Sequence, residues 1–314
     1  MILVCGEALI DMVPLPASPD QPAYVARGGG SHFNVAIGLG RLEVPVGFFG
    51  RLSLDPFGRM MRRQLEEDGV DCRLVRDGDE PSTLAMVFLE AGAEPVYTFH
   101  DEGAADRMLR VEDVPAALPE EVRALHFGSI SLLRDPGASA YESLMRRESG
   151  RRLVSLDPNV RPGLIRDRAA YVERLEEWLS LADLVKVSRA DLEWLYPDRA
   201  PEDAAAAWLD RGPAVVVVTR GHDGAVALVP GGRAEVQGIA VTVSDTVGAG
   251  DSFTSGLLAW LHRAGRLDRA AIDGVTEDEL RTALAFANTA ASITCTRAGA
   301  QPPTFAEMRA TGLA

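Results

Sequence analysis

The stretch "SDTVGAGDSFTSG", Ser244 to Gly256, crowds Gly248 and Gly250 against Asp251, between the strand-like "IAVTV" (239–243) and the apolar "FTSGLLAWL" (253–261). Beyond Asp251 the apolar side chains Phe253, Leu257, Trp260 and Leu261 recur at helical spacing, so the glycines fall at a helix N-terminus. The first backbone N–H groups there are unpaired and the helix dipole is positive, which suits an anion. Asp251 then has two readings. It complements the dipole, worth about 0.3–1 kcal/mol, or it takes a proton from a nucleophile aimed at that anion. The run is neither G-x-x-x-x-G-K-[ST] nor G-x-G-x-x-G, and only one glycine follows the first strand in "CGEALID" (5–11). Those departures argue against a P-loop and against a dinucleotide-dependent oxidoreductase.

Outward from this turn, near-continuous apolar runs recur at 2–6, 45–50, 124–130, 152–157, 184–188 and 214–221. Strands covered on both faces look like this. Between them, 34–42, 57–69, 138–150, 168–182 and 201–212 mix apolar and charged residues at helical spacing. Strand alternating with helix predicts a doubly wound α/β sheet. Two regions break the rhythm. Residues 11–30 are rich in Pro, and 81–106 read as two strands joined by the turn "AGAEP" (91–95). They predict either a small β appendage over a site or a pair of surface hairpins.

The chain has 314 residues, 46% hydrophobic and 25% charged, ample for a large core. Its 46 acidic residues exceed its 32 basic ones, for a formal charge of −14, which disfavours nucleic acid as a partner. An anionic ligand must therefore be met locally, by backbone N–H groups, a few cations and a divalent metal. Cys5, Cys72 and Cys295 are odd in number and widely spaced, as expected of a cytoplasmic protein. The start "MILVCGEALIDMVP" carries Glu7 and Asp11 inside its apolar run and reads as a buried strand, and no apolar run predicts a membrane span.

"DTVGAGDSF" (245–253) resembles the D-T-x-G-A-G-D signature of the ribokinase-like (PfkB) carbohydrate kinases, and "GGSHFNVAIGLGRL" (29–42) resembles their N-terminal G-G-x-x-x-N-x-A segment. The segments "GEALIDMVP", "GRLSLDPFGRMM", "EGAADRML", "LHFGSISL", "DPNVR", "ADLVKVSRADLEWL" and "ANTAASITCTRAGA" follow in family order from Gly6 to about Pro303, closest to the fructokinase branch. The resemblance implies a single ribokinase-like domain over 1–314: a three-layer α/β/α sheet with a small β lid from about 12–30 and 81–106.

By this resemblance Asp251 is the general base, and Val247, Gly248, Ala249 and Gly250 supply N–H groups to the moving γ-phosphoryl of ATP. Asp11, Gly29, Gly30 and Asn34 hold the sugar, with His32 either touching it or packing. Asn34 otherwise reads as a helix cap and Asp11 as a turn residue. Arg161 meets a phosphate or an anionic sugar. Asn159, Lys186, Ser188, Thr219, Gly221, Gly224 and Asn288 line the nucleotide. The family's N-x-x-E motif stands here as Ser188-Arg189-Ala190-Asp191, with Asp191 holding Mg²⁺ through water. Asp245 is assigned a monovalent cation, K⁺, together with carbonyls near Ala298.

The implied reaction moves phosphate from MgATP to a primary hydroxyl of a small sugar, fructose first, in a homodimer paired through the lid. The rival substrate, 2-keto-3-deoxygluconate, requires a cation from Arg27, Arg107 or Arg161. A nucleoside kinase and a non-catalytic sugar or nucleotide sensor stand further off.

Overall fold

In this computed structural model the described residues are 1–15, 23–88 and 96–312, with only the backbone described at 96 and 97; the turn predicted at 91–95 lies outside them. In chain order the first half comprises β1 (Ile2–Cys5), β2 (Leu9–Leu15), β3 (Ala23–Gly29), α1 (Ser31–Arg41), β4 (Val46–Phe49), β5 (Arg51–Ser53), α2 (Pro56–Glu67), β6 (Arg76–Gly78), β7 (Leu84–Phe88), β8 (Val96–His100), β9 (Ala124–Gly128) and α3 (Gly137–Glu148). The second half comprises β10 (Leu153–Asp157), α4 (Arg168–Leu181), β11 (Leu184–Ser188), α5 (Arg189–Leu195), α6 (Pro201–Trp208), β12 (Val215–Thr219), β13 (Ala225–Val229), β14 (Gly232–Val236), α7 (Ala249–Arg263), α8 (Arg269–Asp273), α9 (Glu277–Cys295) and α10 (Phe305–Ala310).

The large sheet runs β14-β13-β12-β11-β10-β9-β1-β4. From β4 to β12 it is parallel, and β13 and β14 close one edge as an antiparallel meander. Each parallel strand sends alternate side chains to opposite cores. Ile2 and Val4 join Leu39, Leu257 and Leu284 of α1, α7 and α9 on one face. Leu3 and Cys5 join Leu144, Leu175 and Trp178 of α3 and α4 on the other. The predicted three layers follow from that double burial. Order reverses at β1, which is flanked by β4 and β9, and in such sheets ligands bind beyond the carboxyl ends of the strands. Glu7, Asp157, Ser188 and Thr219 stand at or just past those ends.

A second, four-stranded sheet has the order β3-β2-β7-β8 and is built from the two regions that interrupt the alternation. Asp11 pairs across with Arg27 on one side and Ala85 on the other, and Ala85 pairs with Phe99, so the four share one face.

The strand-like "IAVTV" is corrected by the structure. Residues 237–243 form no strand, and Ile239 and Val243 are exposed. The run is instead tied at both ends to α9, the Gln237 carbonyl accepting from Asn288 Nδ2 and the Ser244 N–H donating to the Cys295 carbonyl. β13 and β14 went unread although "PGG" (230–232) signals their turn, in which Gly231 takes φ +77°.

Helix α7 is packed through small residues on both sides. A Cβ on Gly38 of α1 would lie 2.7 Å from Ser255 Cβ, and one on Gly256 would lie 2.9 Å from Ala287 Cα of α9. The axes therefore approach closely, and α1 is brought down onto the start of α7. Replacing Gly38 by Leu should force the helices apart and cost about 1–3 kcal/mol as over-packing. Urea unfolding measures this, and a midpoint at or above that of the parent chain would contradict the close crossing.

Candidate active site

Gly248 caps α7 in the left-handed region, φ +75°, and a Cβ there would sit 2.5 Å from Ala300 Cβ, so only glycine fits. The turn it makes is more selective than the motif suggests. Val247 N–H donates to Asp245 Oδ1 at 3.0 Å, and Ala249 N–H donates to the Thr246 carbonyl at 3.2 Å. Two of the four N–H groups assigned to an anion hole, those of Val247 and Ala249, thus have acceptors within the turn. The N–H groups of Gly248, Gly250 and Asp251 have no backbone acceptor among the described residues. They form the free donor set at the helix N-terminus.

Asp251 is buried in the first turn of α7. Its Oδ1 accepts from Ser31 Oγ at 2.7 Å and its Oδ2 from Asn34 Nδ2 at 2.8 Å. Burial raises its pKa, against the pull of those two donors and of Lys186. A carboxylate so placed is a stronger base than one in water.

Asp11 lies opposite. Burial first, and then the charge of Asp251, push its pKa up to about 6. Gly29 makes room for it, since a Cβ there would fall 2.2 Å from Asp11 Oδ2. Gly30, not Asn34, caps α1, with φ +98°, and Asn34 lies inside the first turns with its amide turned to Asp251. His32 is corrected. It is 1% exposed, its Nδ1 lies 2.7 Å from Glu7 Oε2, and its ring stands 5.4 Å from that of His126, so it packs behind the site. Its neighbour Ser31 reaches the base instead.

Beneath Gly250, Lys186 is buried and paired with Asp157 at 2.9 Å, and a Cβ on Gly250 would lie 3.2 Å from its Nζ. Burial works against its charge, but the charge and hydrogen bond of Asp157, with the charges of Asp191 and Asp251, together outweigh burial and hold the pKa up. Thr254 of α7 also donates to Asp157, at 3.4 Å. In the sequence Asp157 is marked only by its position at the end of a buried apolar run, directly before Pro158. Asn159 follows it in the left-handed region, φ +40°, and accepts from Arg161 Nη1 at 2.6 Å.

Asp191 is the capping-box carboxylate of α5, accepting from the N–H of Ser188 and that of Val160, each at 3.1 Å. Each oxygen keeps one lone pair, so a water-mediated contact with Mg²⁺ fits it. Among the described residues no three His, Cys, Asp or Glu side chains are arranged to hold a metal by themselves. Asp245 accepts from Val247 N–H and from Gly299 N–H at 2.8 Å. The Ala298 carbonyl accepts from Arg27 Nη1 at 3.2 Å and Gln301 Nε2 at 2.9 Å. Protein donors therefore already meet both groups assigned to K⁺.

The remaining nucleotide-side residues gather along the same edge. Ser188 and Thr219 are register partners at the ends of β11 and β12. Gly221 and Gly224 turn at φ +60° and +91°, and a Cβ on Gly224 would meet the Val236 carbonyl at 2.1 Å. Asn288 Nδ2 donates to the Gln237 carbonyl at 2.9 Å, bringing α9 to the same loop.

Residues 1–306 match the family described as pfkB family carbohydrate kinase. A fructokinase of Rhizobium leguminosarum bv. trifolii is 40% identical over 281 residues, 90% of this chain and 86% of the relative. The solved fructokinase with bound ATP from Xylella fastidiosa superposes with a TM-score of 0.90 at 29% identity, covering 98% of this chain and 97% of that one. Fructokinase from Vibrio cholerae O395, in its fructose-, ADP- and calcium-bound form, gives a TM-score of 0.82 at 29% identity, with 98% and 97% covered.

Replacing Lys186 by Met strands the buried charge of Asp157, for an expected loss of about 3–5 kcal/mol. Replacing Asp157 by Leu in that background should recover much of it. Thermal and urea unfolding of the two variants check this, and additive losses would show that the pair is not coupled.

Proposed function

Since the chain belongs to the pfkB family of carbohydrate kinases, we propose that it transfers the γ-phosphoryl group of ATP to the primary hydroxyl of fructose, forming fructose 6-phosphate. One observation carries the mechanism: a buried carboxylate, Asp251, stands directly after a turn whose Gly248 and Gly250 N–H groups have no backbone acceptor among the described residues and so suit an anion. A fixed negative charge there would repel a phosphate unless it serves to accept a proton.

In this reading Asp11 and Asn34 orient the sugar by accepting from and donating to its hydroxyls. Asp251 takes the proton of the attacking hydroxyl as the oxygen–phosphorus bond forms and the bond to the ADP leaving oxygen breaks. Charge building on the phosphoryl oxygens is met by the N–H groups of Gly248 and Gly250 and by the helix dipole, with Lys186 behind them. The transition state is loose, so positioning outweighs basicity. Mg²⁺, when bound, offsets charge on the β- and γ-phosphates, with Asp191 its protein contact through water. Closure of the second sheet over the sugar keeps water from competing as acceptor.

Three features support a neutral sugar over a keto acid. Arg27 is held by the Ala298 carbonyl. Arg107 is buried against Asp101 and the Ile130 carbonyl. Arg161 is folded back on Asn159. Each of these contacts competes with a substrate carboxylate, Arg107 most of all because it is buried and held through both terminal nitrogens. Leu15 and Phe88, exposed on neighbouring strands of the second sheet, suit pairing of two copies through that sheet. ATP chemistry and three unpaired thiols fit a cytoplasmic setting.

Replacing Asp251 by Asn should lower kcat at least roughly a hundredfold while sugar and ATP still bind. Near-normal turnover would refute the base assignment. ADP release measured with fructose, ribose, 2-keto-3-deoxygluconate and adenosine tests the acceptor; turnover with the keto acid alone would overturn fructose, and none with any would favour a sensor.

Asp11 binds the sugar as a carboxylate, so kcat/KM for the sugar should fall as pH drops through about 6. The Asp11→Asn variant should lose that dependence along with most of its sugar affinity. An acid limb unchanged by this substitution would assign it to another group.

A further inference from the structure

The backbone N–H of Ser31 donates to Glu7 Oε1 at 3.0 Å, and His32 Nδ1 lies against Glu7 Oε2. Glu7 is itself tied to the third wall of the site: its N–H donates to Ser131 Oγ at 2.8 Å, and Ser131 Oγ donates to Glu7 Oε2. The first turn of α1 is thereby anchored to the junction of β1 and β2 and to the segment after β9. From that fixed turn the Ser31 hydroxyl reaches Asp251 Oδ1 at 2.7 Å, both residues being buried. Asn34, three residues on, reaches Oδ2.

A carboxylate gripped on one oxygen can still turn about its Cβ–Cγ bond. Gripped on both from a single rigid turn, it cannot. Asn34 is expected to exchange donors with the sugar, whereas the buried Ser31 hydroxyl is committed to Asp251.

We propose that Ser31 is a positioning residue for phosphoryl transfer, its hydroxyl holding the Asp251 carboxylate in the orientation and the charged form in which it receives the sugar proton. This rests on the assignment of Asp251 as the base and goes beyond it, because it makes turnover depend on a side chain that touches no substrate. The charged and titratable groups facing Asp251 are Asp11 from β2, Asp157 from β10 and Lys186 from β11, with Ser31 and Asn34 the uncharged donors from α1. Loss of the Ser31 donor leaves burial less opposed, so the proton is held to higher pH.

The test is the pH profile of kcat at saturating sugar and ATP, from about pH 5 to about pH 9, for the parent chain, Ser31→Ala, Ser31→Cys and Ser31→Thr. Saturating sugar takes the titration of Asp11 out of the measurement. Ser31→Ala should move the acid limb to higher pH and lower kcat roughly tenfold at its acid end, leaving the KM for ATP within about twofold. Ser31→Cys, with a weak S–H donor of similar shape, should shift part of the way, and Ser31→Thr, which keeps the hydroxyl, should restore the parent profile. The cysteine variant keeps the test open if Ser31→Ala does not fold. An acid limb that stays in place in Ser31→Ala or Ser31→Cys, whatever the loss of kcat or of stability, overturns the proposal. An active Asp251→Asn variant overturns the base itself, so the two failures are distinguishable.

Discussion

Two hydrogen bonds from α1 to Asp251 hold this site together, and they exist because two helices far apart in sequence start at the same point in space. Ser31 and Asp251 are 220 residues apart, and only the close crossing of α1 over α7, at Gly38 and Ser255, brings them within 2.7 Å. The small residues along α7 thus do more than pack. They fix the height of α1 above the helix that carries the base, and a displacement of a few tenths of an ångström there would be felt as misorientation at the reacting atoms.

The second constraint is charge. Asp157, Asp191 and Asp251 lie near one ammonium, that of Lys186, and Asp11 in turn feels the charge of Asp251. Lys186 is paired with Asp157, so the Asp251 carboxylate is met chiefly by the Ser31 and Asn34 donors, while burial and the charge of Asp251 push Asp11 toward protonation. This is costly for stability and useful for chemistry, since the carboxylate pushed up to about 6 and the base are the two groups that handle sugar hydroxyls in the proposed reaction. An acidic chain that binds polyanions needs such local arrangements, because its overall field repels the ligand.

The parallel strands and the helices between them are legible in the sequence because burial on both faces leaves long apolar runs, and Gly248 is legible because nothing else tolerates its backbone. What escapes is whatever depends on partners distant in the chain. Ser31 reads as an ordinary helix-start hydroxyl until α7 is placed beneath it. His32 reads as contact or as filler, and its contact with the buried Glu7 carboxylate accounts for filler. The N–H groups of Val247 and Ala249 look identical to those of Gly248 and Gly250 in the motif, yet the fold of the turn spends one pair and frees the other. "IAVTV" has every local mark of a strand and lacks only a neighbour, a fact that no single run of residues can reveal.

The Arg27 contact has a mechanical meaning. Arg27 stands on β3 beside Asp11 and donates to the Ala298 carbonyl; the next residue, Gly299, donates to Asp245, which also accepts from Val247 at the mouth of the glycine turn. Swinging β3 outward must either break the first of these bonds or drag the others with it. The shape of the phosphate cradle is then conditional on the sheet that covers the sugar. The strand that carries Arg27 and the turn that precedes Asp251 are thus mechanically joined through three hydrogen bonds, and a shift at one end is transmitted to the other.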